Sequence, residues 1–210
     1  MQNDYYTFER KEIFPFIPVN IERTLDVGCA EGIFSSQLKT EKNVETWGIE
    51  MVKDAADKAK SKLDNVLTGT FDEVYDSLPK KYFDCIFFND VLEHMAYPED
   101  CLIKTKENLA DGGHILASIP NMRYIEVLRE LIFKKDWIYK DSGIQDKTHL
   151  RFYTEKSMKR MIEDCGYKIE RMKGINGVSP YCLTSFINLL FFNYLKDVKY
   201  KQYAILASAK

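Results

Sequence analysis

The sequence predicts an α/β fold: a Rossmann-like, doubly wound seven-stranded sheet, mostly parallel with a C-terminal antiparallel strand. Three observations predict it. The apolar run Thr24-Leu-Asp-Val27 ends in a glycine turn, Gly28-Cys-Ala-Glu-Gly32, and passes at once into helical periodicity. A second apolar run closes on Trp47-Gly-Ile-Glu50, so that a carboxylate stands at a strand tip one βα unit after the turn. The third run, 83–89, is nearly all apolar, which marks a strand covered on both faces of a parallel sheet.

Taken in order, residues 1–20 form an N-terminal arm in which a short helix over 8–16 is broken by Pro15 and Pro18. Strand one covers 23–28, and Ile33, Phe34 and Leu38 give the next helix, 32–40, its apolar face. Strand two spans 44–49, a helix 53–63 and strand three 65–70. After strand four, a helix over 98–109 stops at Asp111-Gly-Gly113, and strand five runs from 115 to 119. The alternation then breaks. Residues 121–138 carry an amphipathic helical pattern through Ile125, Leu128, Leu131 and Ile132, followed by a polar loop. Thr154 caps a helix that stops at Cys165-Gly166, and strands at 168–172 and 202–209 close the chain. Segments 121–153 and 175–200 read as insertions on the substrate side of a single domain, 1–210.

Composition narrows the function. With 30 basic and 32 acidic residues interspersed, the net charge of −2 provides no wide basic field for nucleic acid. Cysteines 29, 85, 101, 165 and 182 are odd in number and lack C-x-x-C spacing. They read as reduced, buried thiols of a cytoplasmic protein, with no disulfide framework and no metal expected. The opening residues lack the cationic start and apolar core of a signal peptide. The most hydrophobic stretch, 181–195, is too short and polar to cross a bilayer, which takes about 20 apolar residues. It reads as a buried helix or a dimer-forming face, or else as the lip of an apolar site or a membrane-surface contact.

The turn decides between ligands. Glycines there admit positive φ and let main-chain N–H groups approach a ligand closely, while Glu50 stands where a carboxylate accepts both ribose hydroxyls. The dinucleotide pattern G-x-G-x-x-G is absent, because Gly28 to Gly32 reads G-x-A-x-G. Asp26 and Glu31 would repel a diphosphate and welcome an amino cation. An adenosine with a cationic amino-acid arm fits S-adenosylmethionine, and a nicotinamide dehydrogenase fails on the turn spacing.

Asp26-Val-Gly-Cys-Ala-Glu-Gly32, Glu50 and Phe83-Asp-Cys-Ile-Phe-Phe-Asn-Asp-Val-Leu-Glu-His94 resemble the successive motifs of class I S-adenosylmethionine-dependent methyltransferases. Asp90-Val-Leu-Glu-His94, Ser118-Ile-Pro-Asn121 and Asp146-Lys-Thr-His-Leu-Arg-Phe-Tyr-Thr154 are similar to a bacterial subgroup associated with glycosyltransferases and surface polysaccharide synthesis. The resemblance implies that Asp26, Gly28, Cys29, Ala30 and Gly32 form the cofactor turn. It gives Glu50 and the adjoining Met51 to the ribose side and Asn89 and Asp90 to the wall beside the methionine arm. Phe71 either packs on the adenine or belongs to the core. Two positions depart from the pattern: Ala30 replaces a glycine, and Thr70 stands where an aspartate is expected.

For methyl transfer to a hydroxyl, His149 is the first candidate general base, because imidazole titrates near working pH; a structural role in its loop is the alternative. His94 follows, then Asp90 or Glu93, while His114 enters a strand and reads as structural. Tyr6 and Arg10 on the arm are candidate substrate contacts or packing anchors. Arg151 is placed to pair with an anionic sugar or phosphate, or with Asp146. The expected activity is methylation of a small-molecule acceptor, a hydroxyl of a sugar or related metabolite, by a possible homodimer. A non-catalytic adenosyl-ligand-binding subunit is the second reading, motivated by Ala30 and Thr70 and by the apolar 181–195 segment, which could dock a partner.

Overall fold

The strands expected from the apolar runs join in one sheet. The computed structural model describes residues 10–177 and 194–210, so Tyr6 and almost all of the 181–195 stretch lie outside the described residues. The strands are β1 (Arg23–Val27), β2 (Glu45–Glu50), β3 (Asn65–Thr68), β4 (Phe83–Asn89), β5 (Leu109–Pro120), β6 (Tyr167–Gly177) and β7 (Tyr200–Ala209). Their spatial order is β3-β2-β1-β4-β5-β7-β6. Strand β7 runs antiparallel to β5 and β6, and the other pairings are parallel. The helices are α1 (Ile33–Lys42), α2 (Lys53–Ala59), α3 (Phe71–Val74), α4 (Pro98–Thr105), α5 (Ile125–Arg129) and α6 (Glu155–Asp164).

Strand β4 shows why the sheet is covered twice. Successive side chains of a strand point to opposite faces. Ile86 and Phe88 pack with Leu102 of α4 and with Met158 and Ile162 of α6. Cys85 and Phe87 pack instead with Phe34 and Leu38 of α1 and with Ile13 and Phe16 of the arm. Each large apolar side chain buried this way contributes about 1.5–3 kcal/mol. The strand order reverses between β1 and β4, which opens a crevice beyond their carboxyl ends. That crevice receives the turns after β1, β2 and β4.

Several elements differ from the sequence reading. The arm helix contracts to one 3-10 turn, Phe14–Phe16, because Pro15 sits at its start and lacks an N–H for a longer ladder. Asp111-Gly-Gly113 lies inside β5 rather than after a helix. A Cβ on Gly113 would come within 2.9 Å of the carbonyl oxygens of Ala110 and Phe83, at the register shift between Phe83 and Cys85. The glycine therefore serves a bulge, not a helix stop. The helix expected over 121–138 is α5, prolonged by a π-helical turn, Glu130–Lys134, that ends on Lys135 at φ 54°. Ile132 and Phe133 there are exposed.

Candidate active site

The turn after β1 is held from two sides. The N–H groups of Gly28 and Cys29 both donate to the Ile49 carbonyl at the end of β2, at 2.8 and 3.0 Å. The Glu50 carboxylate, 6 % exposed, accepts from the Ala30 N–H at 2.9 Å and from the Val52 N–H at 2.8 Å. One side chain thus ties the first turn to the second. Its oxygens retain further lone pairs for a ligand's hydroxyls. Gly28, Ala30 and Gly32 take φ of 77°, 50° and 74°. At Ala30 this left-handed conformation costs roughly 1–2 kcal/mol, because a Cβ there crowds the following carbonyl oxygen.

Asp26 is buried beneath the turn, where Ser35 of α1 donates to its Oδ2 at 2.8 Å and Oδ1 has no partner. Burial raises its pKa to about 7 against the opposing Ser35 bond. Cys29 lends the turn its backbone only, since its sulfur packs into the cluster with Ala59 and Leu63; burial pushes its thiol up, so it stays protonated. Met51 is exposed beside the turn. Phe71 is 4 % exposed and packs on Tyr75 at 5.6 Å between ring centres, which places it in the core rather than on an open wall. Thr70 caps α3 in a reciprocal box with Glu73, so the residue at the expected aspartate position starts a helix.

At the end of β4, Asn89 is half-buried, and neither atom of its amide has a hydrogen-bond partner. Asp90 takes φ 53° and is fully engaged. Arg10 forms a salt bridge with it and donates to Ser118 at 2.5 Å, Ser118 donates to it at 3.1 Å, and Gln202 at 2.8 Å. The arm is thereby fastened across the ends of β4, β5 and β7. Asp90 has no lone pair to spare as a general base.

A cleft of about 350 Å³ adjoins Asp90. Glu93, His94, His149, Tyr124, Gln145 and Lys201 are among the residues that line it. The polar loop is bound through its backbone to the short 3-10 turn after β4, Leu92–His94: Leu150 and Arg151 N–H donate to the Glu93 carbonyl at 2.8 and 3.0 Å. Asp146 accepts from the Thr148 N–H and hydroxyl at 2.8 and 2.7 Å, shaping the turn that presents His149. His149 Nε2 lies 3.9 Å from Glu93 Oε1. Burial first, and His94 next, lower the His149 pKa. Burial and the neighbouring Asp90 charge push Glu93 well above the usual carboxylate range. Arg151 turns away, donating to the Ala96 carbonyl, and does not pair with Asp146. His114 pairs with Glu170 at 3.2 Å, away from the cleft.

Residues 6–171 match the profile of the methyltransferase domain family. The chain belongs to that family. Among individual relatives, the methyltransferase is 30 % identical over 108 residues to a mitochondrial ubiquinone biosynthesis O-methyltransferase of Candida albicans, covering 48 % of this chain and 33 % of that protein. It is 26 % identical over 118 residues to the ubiquinone biosynthesis O-methyltransferase of Vibrio atlanticus, covering 53 % of this chain and 48 % of that one. The chain thus spans a third to a half of these curated relatives. The crystal structure of a SAM-dependent methyltransferase from Archaeoglobus fulgidus superposes with a TM-score of 0.66 at 20 % identity, covering 94 % of this chain and 91 % of that one.

The class I fold and the family's cofactor, S-adenosylmethionine, agree with residues that have a ligand's needs unmet. The amide of Asn89 and Oδ1 of Asp26 are orphaned buried atoms at the crevice, and the Glu50 clamp faces it. The methyltransferase also carries pieces that the sequence reading left out. Gln202 reaches Asp90 from β7, and Gln145 lines the cleft with a buried Nε2 that lacks a partner. Neither lies in a motif, and only the folded chain brings them here. Among the described residues, no helix is long and apolar enough to cross a membrane.

Proposed function

We propose that this chain transfers a methyl group from S-adenosylmethionine to an oxygen of a small polar acceptor, a hydroxyl of a sugar or related metabolite. The observation that carries this reading is the junction of two spaces: the crevice bordered by the β1 turn and Glu50, and the 350 Å³ cleft that begins at Asp90. Such a volume suits a small molecule. Bound S-adenosylmethionine supplies a methyl carbon on a positively charged sulfur. The turn 26–32 and Glu50 hold the nucleoside, Asn89 offers the methionine arm a donor and an acceptor, and Arg10 fixes Asp90 as the wall between cofactor and acceptor. Glu50 adds negative charge where the cofactor is cationic.

The acceptor hydroxyl must also lose its proton. With Asp90 engaged, that task falls to the group around His149, whose lowered pKa keeps the ring neutral at working pH. The names of the two curated relatives support oxygen as the acceptor atom. The Asp90–His94 and Asp146–Thr154 motifs support a role beside surface polysaccharide synthesis, and we assign 121–153 and 175–200 to the acceptor side. The near-neutral net charge argues against nucleic acid as substrate. Buried free thiols at Cys29, Cys85, Cys101 and Cys165 support a cytoplasmic setting. Ala30 and Thr70 have structural roles, so neither departure favours a non-catalytic subunit.

Calorimetry with S-adenosylhomocysteine tests the cofactor half: wild type binds, and Glu50→Ala does not. Transfer of labelled methyl to a panel of sugar nucleotides and glycosides tests the acceptor half. His149→Ala is expected to lose turnover while binding S-adenosylhomocysteine unchanged; full turnover in that variant rejects the role given to His149.

A further inference from the structure

We propose that Glu93, His94 and His149 bind one divalent transition-metal ion at the floor of the acceptor cleft. One ligand atom from each of the three lies within 4.8 Å of the others. The sequence reading expected no metal, because two adjacent residues and a distant histidine form no recognisable ligand spacing; the fold brings them together by binding Leu150 and Arg151 to the Glu93 carbonyl.

Three features single out a cation. First, both oxygens of the Glu93 side chain are buried without a hydrogen-bond partner, in a residue 1 % exposed. A carboxylate in that position is costly unless something positive meets it. Second, the separation of 3.9 Å between His149 Nε2 and Glu93 Oε1 is too long for a hydrogen bond. It is a spacing two ligands adopt around a common ion, each about 2.0–2.2 Å from it. Third, each histidine already has its other nitrogen occupied. His149 Nδ1 lies 3.1 Å from the Ile144 carbonyl, and His94 Nδ1 lies 3.3 Å from the Thr148 carbonyl. A carbonyl only accepts, so the His149 ring carries its proton on Nδ1 and leaves Nε2 bare; the Thr148 hydroxyl, 3.1 Å from His94 Nδ1, spends its own proton on Asp146 and accepts from His94, which fixes the same tautomer there. Metal-bound histidines are characteristically oriented in this way, by an outer carbonyl that fixes the tautomer.

The donor set also selects the ion. Two imidazoles and one carboxylate suit zinc, iron or nickel, whereas magnesium and calcium prefer oxygen ligands throughout. Asp90 is not a ligand, since Arg10, Ser118 and Gln202 occupy its oxygens. Three protein ligands leave positions open toward the cleft. There an acceptor oxygen would bind the ion and its hydroxyl pKa would fall; this use of the site rests on the methyltransferase reading, and in it His149 is a ligand and not the proton acceptor.

The test uses the full chain stripped with a chelator. Titration with Zn²⁺ by calorimetry is expected to give one ion per chain, and Co²⁺ to give visible d–d absorption. His149→Ala and Glu93→Gln are expected to weaken Zn²⁺ binding roughly 100-fold or more, beyond what loss of an outer-sphere partner does. Should Glu93→Gln not fold, His94→Ala, at a half-buried ring, decides the matter by the same readout. No saturable binding of either ion, or binding that survives both histidine variants, overturns the proposal. Calorimetry with S-adenosylhomocysteine on the same metal-free sample separates the readings. S-adenosylhomocysteine binding without any ion site rejects the metal alone, and an ion site without S-adenosylhomocysteine binding rejects the methyltransferase reading alone.

Discussion

Glu50 links architecture and ligand binding, and Glu50→Gln separates the two. The carboxylate accepts the Ala30 and Val52 N–H groups at 2.9 and 2.8 Å while 6 % exposed. Glutamine keeps the volume and one acceptor oxygen, so one bond survives and the other N–H meets an NH₂. Hydrogen bonds to a charged group contribute about 1.5–3 kcal/mol each, so the expected destabilisation is about 2–4 kcal/mol. For a chain of 210 residues that lowers Tm by roughly 5–15 °C. S-adenosylhomocysteine at a hundred times its Kd stabilises the wild type by about 2.7 kcal/mol, and a 100-fold loss of affinity leaves about 0.4 kcal/mol. Thermal unfolding with and without the ligand therefore reads both effects. In wild type the ligand raises Tm by roughly 5–10 °C, and in the variant by about 1 °C. An unchanged ligand-induced rise refutes the ribose role. An unchanged Tm without ligand refutes the clamp.

Ala30→Gly relieves a residue held at φ 50° and is expected to raise Tm by about 2–4 °C, offset in part by the glycine's greater unfolded freedom; a fall in Tm rejects the strain. Thr70→Ala removes the α3 cap and is expected to cost about 1 kcal/mol in urea unfolding, whereas Thr70→Asp, also a good cap, leaves stability nearly unchanged. Asp26, raised to about 7 by burial, holds a proton that the unfolded chain releases near pH 4, so its contribution to stability falls as pH rises from about 4 to 7 and levels off above. Asp26→Asn is expected to flatten that slope, and urea midpoints at pH 5 and 7.5 that change equally in both proteins reject the assignment.

The arrangement of the turns after β1, β2 and β4 was legible in the sequence because it is set by local or periodic features. The β1 turn, Glu50 and the polar exit of β4 each follow an apolar run, and strand period alone brings them to one end of the sheet. Where the sequence misled, a distant partner decided. Asp111-Gly-Gly113 carries a helix-stop signature, and only the Phe83 carbonyl, 2.9 Å from where a Cβ would stand, makes it a bulge. Thr70 was the reverse case: Thr70-Phe-Asp-Glu73 spells a capping box that the sequence displays, and the expectation of an aspartate hid it. Arg151 was open to an anionic ligand or to Asp146; in the fold it donates to the Ala96 carbonyl, while Thr148 meets Asp146 Oδ1 from two residues away.

The acceptor half has another logic, and Glu93 shows it best. Its main-chain carbonyl anchors the polar loop through Leu150 and Arg151, while its side chain lies unpartnered beside His149. Backbone and carboxylate thus carry different duties within one residue. A change confined to the side chain can alter charge and ion binding in the cleft while the loop stays in place. The same holds for the rim: Lys140, Ser142 and Lys201 line the cleft with exposed side chains that no core cluster needs. On the proposed reading, acceptor choice can vary at the rim without cost to the sheet, whereas the turn, Glu50 and Asp26 are bound into the packing and would be constrained by stability and ligand together.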